Sequence, residues 1–251
     1  MKLENGNLIV KRPYKEVYKT EDGIVKVFEP THPKSAVFNE ALNTVRVEET
    51  GLEIPKLKEV VQIDGKWSLV IEYKDGKTLE EMMKVDHDNL EKYMSDFVDL
   101  QMKVQSKKAP MLNKLKDKLA KQINSLKDLD ATQRYELLTR LESMPKHDKL
   151  CHGDFNPSNV IVGKNGKMTV VDWAHATQGN ASADAAMTYL LFALKDQKVA
   201  DLYLKLFCKK SDTAMQYVQQ WLPIVAAAQL SKENELEKDF LMRWIDVVDY
   251  Q

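Results

Sequence analysis

The side chains best suited to chemistry lie in two short stretches, CHGDFNPSNVIV at 151–162 and VVDWA at 170–174. The first stretch offers Asp154 and Asn159, and the second offers Asp172. Between them, two β-branched runs flank the turn sequence KNGK, which is typical of a β-hairpin. Such a hairpin returns Asp172 to the loop that carries Asp154 and Asn159. We therefore expect two carboxylates and one amide to meet at one point.

Oxygen donors of this kind suit Mg²⁺, which proteins usually hold with one or two carboxylates together with phosphates of the substrate. Asp154 comes first in its loop, where it could accept a proton from an attacking hydroxyl. This division of labour is that of phosphoryl transfer, in which positioning and charge neutralisation supply most of the catalysis. The alternative is a purely local role, because Asp, Asn, Pro and Ser are common in turns for their own hydrogen bonds.

The elements around these stretches differ between the two ends of the chain. Over the first third, short β-rich runs alternate with turn residues, and one helical stretch at 35–50 interrupts them. This predicts the order β, β, β, α, β, β. Helical periodicity follows, as at Leu115, Leu119 and Ile123, and helices are again predicted from Ser182 onward. The sequence thus predicts an α+β fold with two lobes.

The motifs HGDFNPSN at 152–159 and VDW at 171–173 resemble the catalytic loop and the metal-binding motif of the aminoglycoside phosphotransferase and choline kinase family. That family has the fold of protein kinases. The resemblance implies a two-lobed protein-kinase-like fold of the α+β class, with a small antiparallel β lobe that carries one helix and a larger, mainly helical lobe. It implies a nucleotide-binding lobe at 1–73 and a catalytic and acceptor-binding lobe at 74–251.

The same resemblance assigns roles to the residues of the two motifs. It implies that Asp154 is the catalytic base and that Asn159 and Asp172 are ligands of Mg²⁺. His152 would support the loop by packing and hydrogen bonding. Asp184 would anchor the catalytic loop from the start of a helix.

The resemblance also reaches the first lobe. Lys26, in GIVKVF, occupies the strand position where this fold keeps the lysine that holds the α- and β-phosphates of the nucleotide. Glu40 lies fourteen residues further on, in the predicted helix, and is its expected ion-pair partner. Glu48 and Glu49 are alternative partners.

The segment VIEYKDGKTL at 70–79 resembles the hinge between the lobes, where the backbone at Glu72 and Tyr73 would hydrogen-bond an adenine. Between Asp172 and the next predicted helix there is no long activation segment of the kind that protein kinases use. A small-molecule acceptor is therefore favoured over a protein acceptor.

The first turn departs from the kinase pattern. Kinases usually cover the phosphates with a glycine-rich hairpin, but here the stretch VKRPYKEVY at 10–18 contains no glycine. Backbone amides approach phosphate less freely when side chains restrict the turn. Lys11, Arg12 and Lys15 could compensate with charge, since Lys and Arg both bind phosphates.

Composition excludes several other classes of protein. The 37 Lys and Arg against 38 Asp and Glu give a net charge of −1, which provides no basic field for nucleic acid. No apolar run approaches the roughly 20 residues that span a bilayer, and the amino terminus lacks the apolar core of a signal peptide. We expect a cytoplasmic protein with no membrane partner. The two cysteines suggest no disulfide framework.

The stretch NKLKDKLAKQINSLKDL is rich in lysine. Its lysines are expected to line a solvated face of a helix.

Together these observations predict a kinase that moves the γ-phosphate of ATP, or GTP, to a hydroxyl of a small molecule, with Mg²⁺. Acidic residues near the carboxyl end, in ENELEKDF and WIDVVDYQ, would attract an amine-containing acceptor such as an aminoglycoside or choline. The alternatives are a nucleotide-binding pseudokinase or scaffold, suggested by the absent glycines, and a protein kinase, which is less favoured. The oligomeric state is not readable from the sequence.

Overall fold

The structure is a computed structural model that describes Leu3 and residues 7–245. Contacts between Cα atoms divide the described chain into two units. The first comprises the described residues of Met1–Met82 together with Ser158–His175. The second comprises Met83–Pro157 and the described residues of Ala176–Gln251.

A five-stranded antiparallel sheet forms most of the first unit. Its strands stand in the order β1-β2-β3-β5-β4. They are β1 (Leu8–Arg12), β2 (Lys15–Thr20), β3 (Gly23–Phe28), β4 (Leu57–Ile63) and β5 (Lys66–Ile71). Helix α1 (Lys34–Glu48) connects β3 to β4. The predicted order of five strands with one helix after the third is therefore confirmed.

Alternation along the strands places an apolar face on each side of this sheet. One side groups Tyr18, Val25, Val27, Ile63 and Val70. The other packs against α1 and is a cluster of four buried side chains, Phe28, Val37, Ala41 and Leu69. The face of α1 that packs inward also buries polar side chains, namely Glu40, Asn43 and Thr44.

A second, three-stranded sheet of the first unit contains the predicted hairpin. Strand β8 (Val160–Val162) pairs with β9 (Met168–Val170), and β6 (Lys77–Thr78) pairs with the other edge of β8. The turn between β8 and β9 includes Gly166, whose φ of 75° is one that glycine adopts without strain. Strand β6 was not predicted, because two residues are too few to show an alternating pattern.

Helices form most of the second unit. They are α3 (Leu90–Gln105), α4 (Leu115–Ser125), α5 (Ala131–Ser143), α6 (Ala181–Ala193), α7 (Gln197–Ser211), α8 (Met215–Gln219), α9 (Leu222–Leu230) and α10 (Glu235–Ile245). The short helix α2 (Leu79–Val85) precedes them in the chain. Strands β7 (Lys149–Cys151) and β10 (Thr177–Gly179) form a two-stranded sheet among them.

Local sequence explains several of these helices. Asp130 begins α5 with a capping box, in which its side chain accepts from the Gln133 N–H and the Gln133 side chain accepts from the Asp130 N–H. The apolar stripe of α4 is buried at Leu115, Leu119 and Ile123, as its period predicts. No helix in the described part of the chain combines the length and the apolar composition needed to cross a bilayer.

Candidate active site

Lys26 lies at the centre of a group of charged side chains in the first unit, in which Lys26 and Glu40 are buried and Asp172 is partly exposed. Its Nζ is 2.6 Å from Oε1 of Glu40 and 2.9 Å from Oδ1 of Asp172. Lys26 is 8% exposed and Glu40 is 5% exposed, so water stabilises neither charge to any large extent. Glu48, an alternative partner from the sequence, instead accepts a hydrogen bond from the backbone N–H of Leu57 at 2.8 Å. The structure thus brings Lys26 together with Glu40 and Asp172.

Asp172 binds a second lysine as well. Its Oδ2 accepts from Nζ of Lys15 at 3.2 Å, and Lys15 is 6% exposed. Asp172 follows β9 with a φ of 66°, a left-handed conformation that Asp tolerates better than most residues and that is frequent at functional sites. Lys15 and Asp172 are 157 residues apart in the chain, so no local pattern could have indicated this contact.

The electrostatics of this group favour charged side chains. Burial by itself would lower the pKa of Lys26, but the carboxylates of Asp172 and Glu40 outweigh it and raise the pKa above its ordinary value. Burial would likewise raise the pKa of Asp172, yet Lys26 and Lys15 hold that pKa well below its usual range. The positive charges of Lys15 and Lys26 are therefore balanced by the negative charges of Glu40 and Asp172.

The hairpin and helix α1 fix the position of Asp172. Asn159 ends a 3₁₀ turn at Pro157–Asn159, and its carbonyl accepts from the N–H of Val171 at 2.9 Å. On the other side of Asp172, the carbonyl of Ala174 accepts from Nδ2 of Asn43 in α1 at 3.1 Å. The backbone of Asn159 is thus joined by a hydrogen bond to the residue that precedes Asp172.

The predicted hinge uses part of its backbone internally. The N–H of Glu72 donates to the carbonyl of Lys56 at 2.8 Å. The Glu72 carboxylate accepts from the N–H of Lys56 at 3.2 Å and from Nζ of Lys74 at 2.5 Å. An adenine held by this segment must therefore be recognised through backbone groups other than the Glu72 N–H, such as those of Tyr73.

The part of the HGDFNPSN motif that carries Asp154, residues 152–157, lies in the second unit and is held on two sides. His152 is fully buried, and its Nδ1 accepts from the N–H of Asp154 at 3.2 Å. The N–H of Gly153, which has a φ of 77°, donates to Oδ1 of Asp184 at 2.8 Å. Asp154 itself is partly exposed. These bonds orient the backbone that presents the Asp154 carboxylate.

Asp184 is 3% exposed and lies in the first turn of α6, where the helix N-terminus stabilises a negative charge. Its Oδ2 accepts from Nε2 of Gln105 at 3.2 Å and from Nε2 of Gln101 at 3.5 Å. The Oε1 of Gln101 in turn accepts from the hydroxyl of Tyr203 at 2.6 Å. Sequence reasoning missed both glutamines, although two amides four residues apart on the buried face of α3 are a visible signal.

Lys118 is a further charged group of the second unit, and its charge interacts with those of Asp154 and Asp184. It belongs to the lysine-rich helix α4, but it is only partly exposed. Burial lowers the pKa of Lys118 to about 8, and the charge of Lys232 acts in the same direction, while Asp154 and Asp184 oppose it. The expectation of a uniformly solvated lysine face therefore fails at this position.

Cys151, which precedes His152, lacks the features of a nucleophile. It is fully buried, and burial raises the pKa of its thiol well above the ordinary value. Both cysteines are free thiols. Among the described residues, no three His, Cys, Asp or Glu side chains are grouped as a metal-binding cluster.

Comparison with protein families identifies one match. The model of the APH family, described as "Phosphotransferase enzyme family", matches residues 14–222. No curated protein sequence matches the chain.

Many solved structures share the fold. The apo form of a thermostable mutant of aminoglycoside phosphotransferase APH(4)-Ia superposes with a TM-score of 0.67 at 12% identity, over 98% of this chain and 91% of that chain. Choline kinase LicA from Streptococcus pneumoniae gives 0.64 at 13% identity, over 95% and 90%. The type VIII aminoglycoside-3'-phosphotransferase gives 0.59 at 16% identity, over 85% and 92%. The predicted protein-kinase-like fold of the α+β class is confirmed.

Proposed function

Because this chain belongs to the phosphotransferase enzyme family, we propose that it transfers the γ-phosphate of ATP, or GTP, to a hydroxyl of a small molecule. The observation that supports nucleotide binding is the group of charges in which Lys26 contacts Glu40 at 2.6 Å and Asp172 at 2.9 Å. A lysine held by a helix glutamate beside a carboxylate is the arrangement that kinases use to position the nucleotide phosphates.

Each residue of the proposed site has a role that is consistent with its contacts. Lys26 holds the α- and β-phosphates, and Glu40 keeps its ammonium in place. Asp154 accepts the proton of the acceptor hydroxyl, a contribution of about 10²–10⁴ in rate for a general base. Asp184 and His152 position the backbone of that loop through the hydrogen bonds to Gly153 and Asp154.

Asp172 and Asn159 are the proposed ligands of Mg²⁺. A carboxylate and an amide are hard oxygen donors of the kind that this ion prefers, so the residues fit the metal. Both carboxylate oxygens of Asp172 accept hydrogen bonds from lysine ammonium groups in this structure, and as metal ligands they would share or exchange these contacts. When bound, the ion would neutralise charge on the phosphates. The meeting of Asp154 with Asn159 and Asp172 at one point stays a prediction.

The acceptor is proposed to be a small, amine-containing alcohol. Solved structures with the same fold include a ternary complex of aminoglycoside phosphotransferase APH(4)-Ia with ADP and hygromycin B, and a choline kinase. Of the acidic residues near the carboxyl end, Glu237 already accepts from Gln229 at 2.8 Å and from Asn234 at 2.6 Å, and residues 246–251 lie outside the described part. We place the reaction in the cytoplasm, where nucleoside triphosphates are available.

A nucleotide-binding scaffold without turnover is the second candidate. The glycine-free first hairpin favours it, because this hairpin lacks the usual means of covering the phosphates. Thermal unfolding with and without Mg-ATP, paired with an ATP- and GTP-turnover screen over aminoglycosides, choline and other hydroxylated amines, separates the candidates. Stabilisation with turnover supports the kinase. Stabilisation without turnover on any acceptor supports the scaffold.

The variant Asp154→Asn tests the catalytic assignment once an acceptor is found. It preserves the shape of the side chain and removes the base, so turnover should fall by at least about 100-fold while ADP affinity is unchanged. Asp148→Asn is the matched control, because Asp148 is an exposed residue paired with Lys108 at 2.8 Å on the surface. Full activity in Asp154→Asn would show that another group accepts the proton.

A further inference from the structure

Lys15 is a buried lysine that has no assigned role in the proposed reaction. It is the first residue of β2, where it lies opposite Arg12 of β1 and Phe28 of β3. Lysine is rarely as little exposed as the 6% observed here unless its charge is paired. Its partner is Oδ2 of Asp172 at 3.2 Å.

The hairpin that carries Lys15 cannot bind phosphate through its backbone in the usual way. An anion-binding nest needs a residue with left-handed backbone conformation, and none of residues 7–22 has a positive φ. Pro13, in the turn itself, has no N–H to donate. A charged side chain can supply the phosphate contact that such a nest would otherwise make.

Lys15 and Lys26 share one carboxylate. Lys26 donates to Oδ1 of Asp172, and Lys15 donates to Oδ2. Phosphates that Lys26 holds would consequently lie close to Lys15. An ammonium group has three donors, and Asp172 accounts for one of those of Lys15, so Lys15 can donate to a phosphate oxygen without leaving Asp172.

We propose that Lys15 is a phosphate-binding residue, which donates to the terminal phosphates of the nucleotide from the hairpin position where related kinases use a glycine-rich backbone. This inference rests on the proposed function, because it presupposes that a nucleotide binds beside Lys26. The alternative is that Lys15 only occupies the carboxylate of Asp172 and does not contact the nucleotide. The two readings predict changes of opposite sign when the charge of Lys15 is removed.

The experiment measures the affinities of ADP and AMP by calorimetry, in metal-free buffer, for the wild type and for Lys15→Gln, Lys15→Arg and Lys11→Gln. Lys11, which the sequence also offered as a phosphate-binding charge, is the matched control, because in the structure its side chain is 73% exposed and its charge is paired with Glu16. Each variant's ratio of ADP to AMP affinity comes from one protein sample, so partial unfolding cancels from it.

We expect Lys15→Gln to reduce the ratio at least about tenfold, since a charge-assisted hydrogen bond to the β-phosphate is lost. Lys15→Arg should retain most of the ratio, and Lys11→Gln should leave it unchanged. An unchanged ratio in Lys15→Gln would overturn the proposal, and tighter ADP binding would overturn it in favour of a blocking lysine. Failure of the wild type to bind ADP at all would instead overturn the proposed function itself.

Discussion

Asp172 is the shared counter-charge of two buried lysines. From the sequence alone, Asp172→Ala is expected to abolish magnesium-dependent turnover and to leave the fold largely intact, because it removes a charge at a cleft and empties no core space. The ion pairs of Asp172 with Lys15 and Lys26 change that expectation, because its removal leaves two ammonium groups with Glu40 as their one remaining carboxylate in this cluster. Uncompensated buried charge is one of the costly defects in a folded protein.

We predict that Asp172→Ala lowers the free energy of unfolding by about 3 kcal/mol, in addition to any loss of activity. Asp75→Ala is the control, because Asp75 pairs with Lys164 at 3.1 Å on the surface, where such pairs contribute about 1 kcal/mol or less. Urea unfolding at pH 7 measures both. Equal, small losses in the two variants would show that the buried lysines do not depend on Asp172.

Lys118 predicts a pH dependence of stability. Its pKa is lowered to about 8 in the folded chain, below the ordinary value of 10.5, so the unfolded chain binds more protons between these values. The contribution of Lys118 to the free energy of unfolding must then rise as the pH increases from about 8 to 10.5. The wild-type free energy of unfolding, minus that of Lys118→Met, should increase from pH 7 to pH 10. Lys121→Met, at an exposed position of α4, is the matched variant, and identical pH profiles for the two would contradict the prediction.

At the scale of elements, short strands position the proposed metal ligands. Strand β6 pairs with β8, which begins directly after Asn159, and β9 ends two residues before Asp172. Gly76 allows β6 to approach β8, because a Cβ at Gly76 would lie 2.3 Å from the backbone oxygen of Val162. Such a contact with backbone cannot be relieved by rotating a side chain.

Gly76→Ala is therefore expected to destabilise the chain at least twice as much as Gly166→Ala. Gly166 has a φ of 75°, but a Cβ there meets nothing within 4 Å, so alanine should cost about 1 kcal/mol through backbone strain alone. Chemical denaturation of both variants measures the difference. A cost for Gly76→Ala no larger than for Gly166→Ala would show that β6 can move away from β8 freely.

At the scale of the whole molecule, the first unit is assembled from two distant parts of the chain, Met1–Met82 and Ser158–His175. Asp172, which follows the β8–β9 hairpin, thus contacts Lys26, although 146 positions separate the two residues in sequence. The loop with Asp154 falls in the second unit.

Nucleotide binding should stabilise the folded chain as a whole. At about 100 times its dissociation constant, a ligand adds roughly 2.7 kcal/mol to the free energy of unfolding. For a chain of 251 residues this corresponds to an increase of about 5–10 °C in Tm. Scanning calorimetry with ADP, and with adenosine at equal concentration as the control, tests this. The absence of any shift at millimolar ADP would contradict nucleotide binding.

The sequence alone was sufficient for the five-stranded sheet, for helix α1 and for the family resemblance, because alternation, helical period and the motifs HGDFNPSN and VDW are local patterns. It also singled out Lys26, Glu40 and Asp172, which the structure places in contact. These residues were recognisable through their fixed spacing within strand, helix and motif.

Only the tertiary structure decided the remaining contacts. Lys15 reaches Asp172 across 157 positions, Gln105 reaches Asp184 across 79, and Lys118 is close enough to Asp154 for their charges to interact. No local pattern specifies such pairs, since each side chain has an ordinary local role in its own strand or helix. Burial then determines their chemistry, because charges removed from water depend on the partners that the fold supplies.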